Sequence, residues 1–176
     1  MCVFSECVRL PIVPIRTRRA DDLAVCAATL RRVHDLSGYP ARWPDDPAGW
    51  LCPPGLMTAW VAEQDGVVAG HVGLACGVQA GCLLRATGRD AGELAGVVRL
   101  FVDPAARRTG HARELLKTAA AHAASGNLVA VLDVVDGARA AIALYEQSGW
   151  RLVGRESATW SMPSGLTPTL RYYVRP

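Results

Sequence analysis

An aspartate stands inside an otherwise apolar run, Leu128 to Val135. A carboxylate is costly to bury without a partner, so Asp133 has to face a polar cavity, pair with an arginine or cap a turn. Only the first placement makes it a proton acceptor. Further along, Tyr145 offers a phenol able to return a proton to a leaving group. Upstream, Arg107-Arg108-Thr109-Gly110-His111-Ala112 divides an apolar run stopped by Pro104 from a stretch of strong helix formers. At such a junction several backbone N–H groups lack an intrahelical partner. With the helix dipole they hold an anion, Gly110 and Ala112 keep bulk out of its way, and the arginines add positive charge. The turn contains neither G-x-x-x-x-G-K-[ST] nor G-x-G-x-x-G, so it is a phosphate cradle of another kind. Glu93, at the start of the run before the cradle, and His71, in an earlier apolar segment, are rival bases.

The elements that carry these residues follow from periodicity and turn chemistry. Residues 1–14, with Pro11 and Pro14, have no clear period and read as a leader before a first strand at Ile15 to Arg18. Asp21 and Asp22 open a helix with Leu23, Cys26, Ala27, Leu30 and Val33 on one face. Ser37 to Pro54 contains five prolines and two glycines, which forbids a long helix and predicts a structured loop anchored by Tyr39, Trp43 and Trp50. Thr58 to Glu63 and Val67 to Cys76 flank Asp65-Gly66 and predict a hairpin. A glycine-bearing connection, Gly77 to Gly92, leads to the buried strand ending at Pro104. The cradle, a helix over Arg113 to Ala124, the strand bearing Asp133 and a helix over Ala138 to Gln147 come next. Two strands, Arg151 to Met162 and Leu170 to Val174, close the chain. This order is mixed α/β in one domain, residues 15–176.

The 176 residues suffice for one sizeable core, and half of them are hydrophobic. Lys117 is the sole lysine and the formal charge is only +3, which argues against nucleic acid as a partner. No apolar run is long enough to cross a bilayer, and the first residues lack a signal-peptide pattern, so the expected location is the cytoplasm with no membrane partner. The six cysteines form no C-x-x-C pair; four lie in apolar or small-residue surroundings, so buried free thiols are expected and a metal site is not.

VVRLFVDPAARRTGHARELL resembles motif A of the GNAT superfamily of N-acetyltransferases, whose [QR]-x-x-G-x-[GA] pattern is met by Arg107, Gly110 and Ala112. LDVVDGARAAIALYEQSGW resembles motif B, and IRTRRADDLAVC resembles the usual beginning, so the likeness spans Ile15 to Gly154. It implies a mixed, mostly antiparallel, twisted sheet flanked by helices, with acetyl-CoA as co-substrate and no metal. It also implies that the backbone of Leu100, Phe101 and Val102 pairs with the pantetheine arm, and that Arg107, Arg108, Thr109, Gly110, His111 and Ala112 take the pyrophosphate, His111 through its backbone. Tyr145 falls at the motif-B tyrosine near the sulfur, as general acid. Ribosomal-protein alanine N-acetyltransferases carry a proposed general-base glutamate where this chain has Asp133, one methylene shorter, which favours a bridging water. One departure is Ala138, where motif B commonly begins with asparagine; Asp136 and Arg139 are the neighbours that could replace its contact.

The resemblance makes the proline-tryptophan loop the acceptor side, with Tyr39, Trp43 and Trp50 as candidate substrate contacts and Asp45 and Asp46 as attractors of an amine. The acceptor class is a small-molecule or peptide amine, and the chain is a monomer or a homodimer formed through its C-terminal strands and Trp160. Two other functions remain open at this level: a non-catalytic acyl-CoA-binding or interaction module on the same fold, and a nucleotide-binding protein using the same cradle.

Overall fold

The computed structural model describes residues 13–176. Most of the leader, residues 1–12, lies outside the described residues. Val13 already packs against the main core, and the carbonyl of Pro14 accepts from the Glu63 amide at 3.0 Å.

Fourteen segments follow one another along the described residues. The strands are β1 (Ile15–Thr17), β2 (Leu56–Gln64), β3 (Val67–Ala75), β4 (Leu94–Val102), β5 (Val129–Val135), β6 (Arg151–Ser157) and β7 (Thr169–Val174). The helices are α1 (Asp22–Ser37), α2 (Pro47–Trp50), α3 (Gly81–Thr87), α4 (His111–Ser125) and α5 (Arg139–Gln147), with single 3₁₀ turns before β4 and after Asp103. All seven strands form one sheet in the order β1-β2-β3-β4-β5-β7-β6. Only β4 and β5 pair in parallel, because α4 carries the chain back across the sheet between them.

Alternation along the strands sends side chains into separate layers. Trp60 and Ala62 of β2, Ala95 and Val97 of β4, and Ala130 and Leu132 of β5 pack with Leu115, Leu116, Ala119 and Ala123 of α4 and Tyr145 of α5. On the opposite face Val61 and Phe101 meet Cys26, Leu30 and Val33 of α1, and Val131 and Val174 meet Cys82 and Leu83 of α3. Each fully buried leucine here contributes about 1.5 to 3 kcal/mol relative to an exposed one.

Three readings are corrected by the structure. The Gly77 to Gly92 connection contains α3, which spans only seven residues and is closed by Gly88 at φ +63°, too short for a helical period to declare itself. The strand expected to reach Met162 stops at Ser157, where Pro163 and Pro168 bracket a loop tied by Ala158 N–H to the carbonyl of Pro168 at 2.8 Å. Of the described cysteines, Cys26 and Cys82 are buried, while Cys52 and Cys76 are exposed.

Candidate active site

The parallel pair β4 and β5 is joined only at its beginning: Leu94, Ala95 and Gly96 pair with Val129, Ala130 and Val131. Beyond Gly96 the two strands diverge and their facing edges carry no ladder. A bulge lies at the fork. His71 of β3 pairs with Phe101 and Gly73 with Val98, so two steps along β3 match three along β4. The extra residue bends β4 and changes which face its side chains take. Val97 packs on the α4 side and so do Leu100 and Val102, which puts Val98 and Arg99 together on the opposite face. Arg99 takes the left-handed conformation, φ +56°, at this point.

His71 pins the bulge. Its Nδ1–H donates to the carbonyl of Arg99 at 2.9 Å, and its Nε2 accepts from Arg18 Nη1 at 2.9 Å. The tautomer follows from the partners, since a carbonyl only accepts and a guanidinium only donates. Burial pushes its pKa down to about 4, and its ring stacks on Phe101 with centroids 5.3 Å apart. With both ring nitrogens committed, His71 is a structural residue rather than a free base. Glu93 is likewise occupied: its carboxylate accepts from the Asp90 amide at 3.0 Å and from Arg89 at 2.6 Å, capping the 3₁₀ turn before β4.

Opposite the bulge, a cleft of about 360 Å³ is lined by Arg99, Asp133, Tyr172, Cys76, Gln79 and Pro54, among others. Asp133 shares the face of β5 that bears Val131, away from α4. Its side chain is reached by solvent, yet partial burial in the cleft raises its pKa above the ordinary carboxylate value, and the charge of Arg99 only partly opposes this. Arg99 donates through Nε to the carbonyl of Trp50 at 3.1 Å and stacks its guanidinium 3.8 Å from the centre of the Trp50 ring. Tyr39 meets Trp50 edge-on at 6.0 Å. Burial pushes the Tyr39 phenol up to about 12, with Arg99 acting downward and Asp133 upward.

Tyr145 projects from α5 on the other side of the sheet, its ring 6.4 Å from that of Trp150 and 5.9 Å from that of Tyr173. Burial first, then the charges of Tyr39 and Asp133, hold its pKa above the usual tyrosine value. Its phenol is therefore protonated at neutral pH. Asp133 and Tyr145 thus lie on opposite faces, close enough across the fork for the Asp133 charge to act on the Tyr145 phenol.

The third part is the turn into α4. Arg108 and Gly110 adopt φ +66° and +91°, and the first α4 amide bonded within the chain is that of Glu114, to the carbonyl of Gly110 at 3.1 Å. The amides from Arg108 to Arg113 have no hydrogen-bond partner among the described residues. A Cβ placed on Gly110 meets nothing within 4 Å, so the amides open onto free space. This arrangement fits a diphosphate. The side chains of Thr109 and His111 instead serve the turn. The Thr109 hydroxyl donates to the carbonyl of Ala106 at 2.5 Å and accepts from Nδ1 of the buried His111.

None of Tyr39, Trp43 and Trp50 is among the residues lining the cleft; Tyr39 and Trp50 stand behind Arg99, and Trp43 lies further off. It packs beside His34, 5.3 Å between ring centres, and under Arg31 at 5.0 Å, fastening the loop to α1. Asp46 caps α2 by accepting from the Gly49 amide at 3.0 Å. Ala138 is the N-cap of α5 and offers no side-chain bond; Asp136 is engaged by Arg171, which removes it as a free substitute. Arg99 was missed by sequence reasoning. Its signal was available, a lone arginine in the apolar run VVRLFV, of the same kind as the aspartate in LDVV.

Sequence comparison fixes the class of this splayed sheet with its open amide turn. The sequence model of the acetyltransferase (GNAT) family matches residues 27–150, and the chain belongs to that family. Its fold is similar to Arabidopsis thaliana NAA60 in complex with acetyl-CoA, at 18% identity and TM-score 0.71, covering 92% of this chain and 97% of that one. The ribosomal-protein-S18-alanine N-acetyltransferase from Escherichia coli is similar at 19% identity and TM-score 0.68, with 94% of each chain covered. The ribosomal-protein-alanine N-acetyltransferase from Brucella melitensis gives 21% and 0.70, covering 92% and 98%. No curated protein sequence matches the chain.

Proposed function

We propose that the protein is an N-acetyltransferase that moves the acetyl group of acetyl-CoA onto the amine of a small molecule or peptide. The observation that carries this reading is the fork between β4 and β5, flanked by the unpartnered amides of Arg108 to Arg113 on one side and the Asp133 cleft on the other. In this reading the cradle residues Arg107 to Ala112 hold the diphosphate, and the β4 backbone from Leu100 to Val102 lines the pantetheine arm in the fork. Acetyl-CoA supplies the thioester. The amine nitrogen attacks the thioester carbonyl; its N–C bond forms as the C–S bond breaks. Asp133 takes the proton lost by the amine, directly or through water, and Tyr145 gives its proton to the departing thiolate. Asp133 then returns its proton to the solvent and Tyr145 is reprotonated from it. The raised pKa values of both groups support these roles, since a carboxylate of raised pKa is a stronger base than an ordinary one and a neutral phenol has a proton to give.

The test is release of free CoA thiol from acetyl-CoA across an amine panel, with wild type beside Asp133→Asn, Tyr145→Phe and the double variant. Thiol release with some primary amine, lost in the double variant, is expected. Tight acetyl-CoA binding without thiol release, unaffected by both substitutions, would instead support a non-catalytic binding module. We further propose a cytoplasmic protein; no described helix is long and apolar enough to cross a membrane.

A further inference from the structure

Arg99 is a half-buried cation without an anion. Other arginines at partly buried positions are provided for: Arg16 holds Asp22 and Glu63 at 2.7 Å each, and Arg171 engages Asp136. Arg18 carries no carboxylate, but its terminal nitrogens meet the carbonyl of Leu51, Nε2 of His71 and Sγ of Cys52. Arg99 uses Nε alone, and neither of its terminal nitrogens has a hydrogen-bond partner among the described residues. The bulge aims the side chain into the cleft, and Trp50 fixes the guanidinium plane by stacking at 3.8 Å. A guanidinium held by Nε presents its outer edge as a two-pronged donor that matches a carboxylate.

Asp133 lines the same cleft, and no ion pair joins it to Arg99. The cleft therefore offers a separated positive and negative group within about 360 Å³, small by the standard of ligand sites. A molecule bearing an amine and a carboxylate a few bonds apart complements both at once. A peptide N-terminus does not, because its carboxylate lies at the far end of the chain.

Building on the acetyltransferase reading, we infer that the acceptor is a free amino acid, its amine directed to Asp133 and its carboxylate held by Arg99. Arg99 is then the specificity-determining residue, and Trp50 and Tyr39 act through it by fixing its orientation.

The test compares each common L-amino acid with its carboxamide, its decarboxylated amine and its dipeptide with a C-terminal glycine, measuring thiol release from acetyl-CoA by wild type, Arg99→Gln and Arg99→Lys. Acetyl-CoA binding and thermal unfolding are measured alongside. At least one amino acid is expected to exceed its three analogues in kcat/KM by tenfold or more. Arg99→Gln should raise KM for that amino acid at least tenfold, with a smaller change in kcat, and bring the ratio to its analogues within about threefold. Arg99→Lys, which keeps the charge but not the fork, should fall between. Analogues that match or exceed the amino acids in wild type, or a preference that survives Arg99→Gln, would overturn the inference. So would acetyl-CoA binding without thiol release from any free amino acid. Failure to bind acetyl-CoA at all would overturn the underlying acetyltransferase reading instead.

Discussion

Asp133 and Arg99 are both charged residues set into apolar strands, and each costs free energy that an ordinary core would not bear. For Asp133 the consequence is a pH dependence. Because burial raises its folded pKa, the carboxylate is protonated, and unable to fill the proposed role of base, up to a higher pH than a free aspartate. The acidic limb of kcat/KM should therefore fall as pH drops through a value higher than that of a free aspartate, and Asp133→Asn should abolish that limb and lower kcat by roughly 100-fold. A raised pKa also means that the fold is favoured by the protonated form, with that stability lost as pH rises through the folded value. Asp133→Asn should accordingly unfold no lower than wild type at neutral pH, the pattern of a residue kept for function. Tyr145→Phe should lower kcat by roughly 10- to 100-fold while leaving KM for acetyl-CoA within a few-fold, as expected for loss of a proton donor. At this scale the sequence displayed Asp133 and Tyr145 through residue type and motif position. Arg99 was visible by type as a lone arginine in an apolar run, but its face was concealed, because simple alternation puts residue 99 on the same face as Val97, and only the inserted residue at the bulge turns it to the cleft.

Elements place these side chains, and two of them depend on single local devices. The turn into α4 requires φ +91° at Gly110 and free space beside its Cα. Gly110→Val should cost about 1 to 3 kcal/mol in backbone strain and put a side chain over the open amides. The expected outcome is a rise of tenfold or more in KM for acetyl-CoA, with the fold retained by circular dichroism. The junction of β1 and α1 depends on Asp22, which accepts from Arg16 at 2.7 and 2.8 Å and from the Arg19 amide at 2.6 Å. These bonds, led by the one from Arg16, pull the Asp22 carboxyl down to about 2 from an ordinary value near 4. The stability they bring is present above the ordinary value and lost as pH falls from there through about 2. Asp22→Asn should destabilise the protein by roughly 1 to 2 kcal/mol at pH 7, a difference that is mostly lost on titration to about pH 2 in chemical denaturation. The longer elements were legible because helical and alternating periods repeat within them; α3 and the end of β6 were not, since one is two turns long and the other is set by prolines in the following loop.

At the scale of the whole molecule, the central fact is that the sheet is continuous on either side of the fork and open within it. Strand order and the splay were beyond composition and periodicity, because pairing partners are chosen by contacts distant in sequence; the family likeness supplied only a mixed, mostly antiparallel sheet and a backbone at Leu100 to Val102 left free for a ligand. The open fork and the unpartnered cradle amides have a shared thermodynamic consequence. Each is a set of backbone polar groups that folding desolvates or orders without supplying a protein partner, so a ligand that occupies both binds the native state and not the unfolded chain. At acetyl-CoA 100-fold above its dissociation constant this linkage adds about 2.7 kcal/mol to stability. For a domain of this length each kilocalorie raises the unfolding temperature by roughly 2 to 4 °C, so thermal scanning with saturating acetyl-CoA should show a rise of about 5 to 10 °C. Dephosphorylated pantetheine, which reaches the fork but not the cradle, should give a much smaller rise. Gly110→Val should lose most of the acetyl-CoA effect while Asp133→Asn keeps it, since the first obstructs the cradle and the second alters only the acceptor cleft. An equal response of both variants would sink the division of the fork into a donor side and an acceptor side.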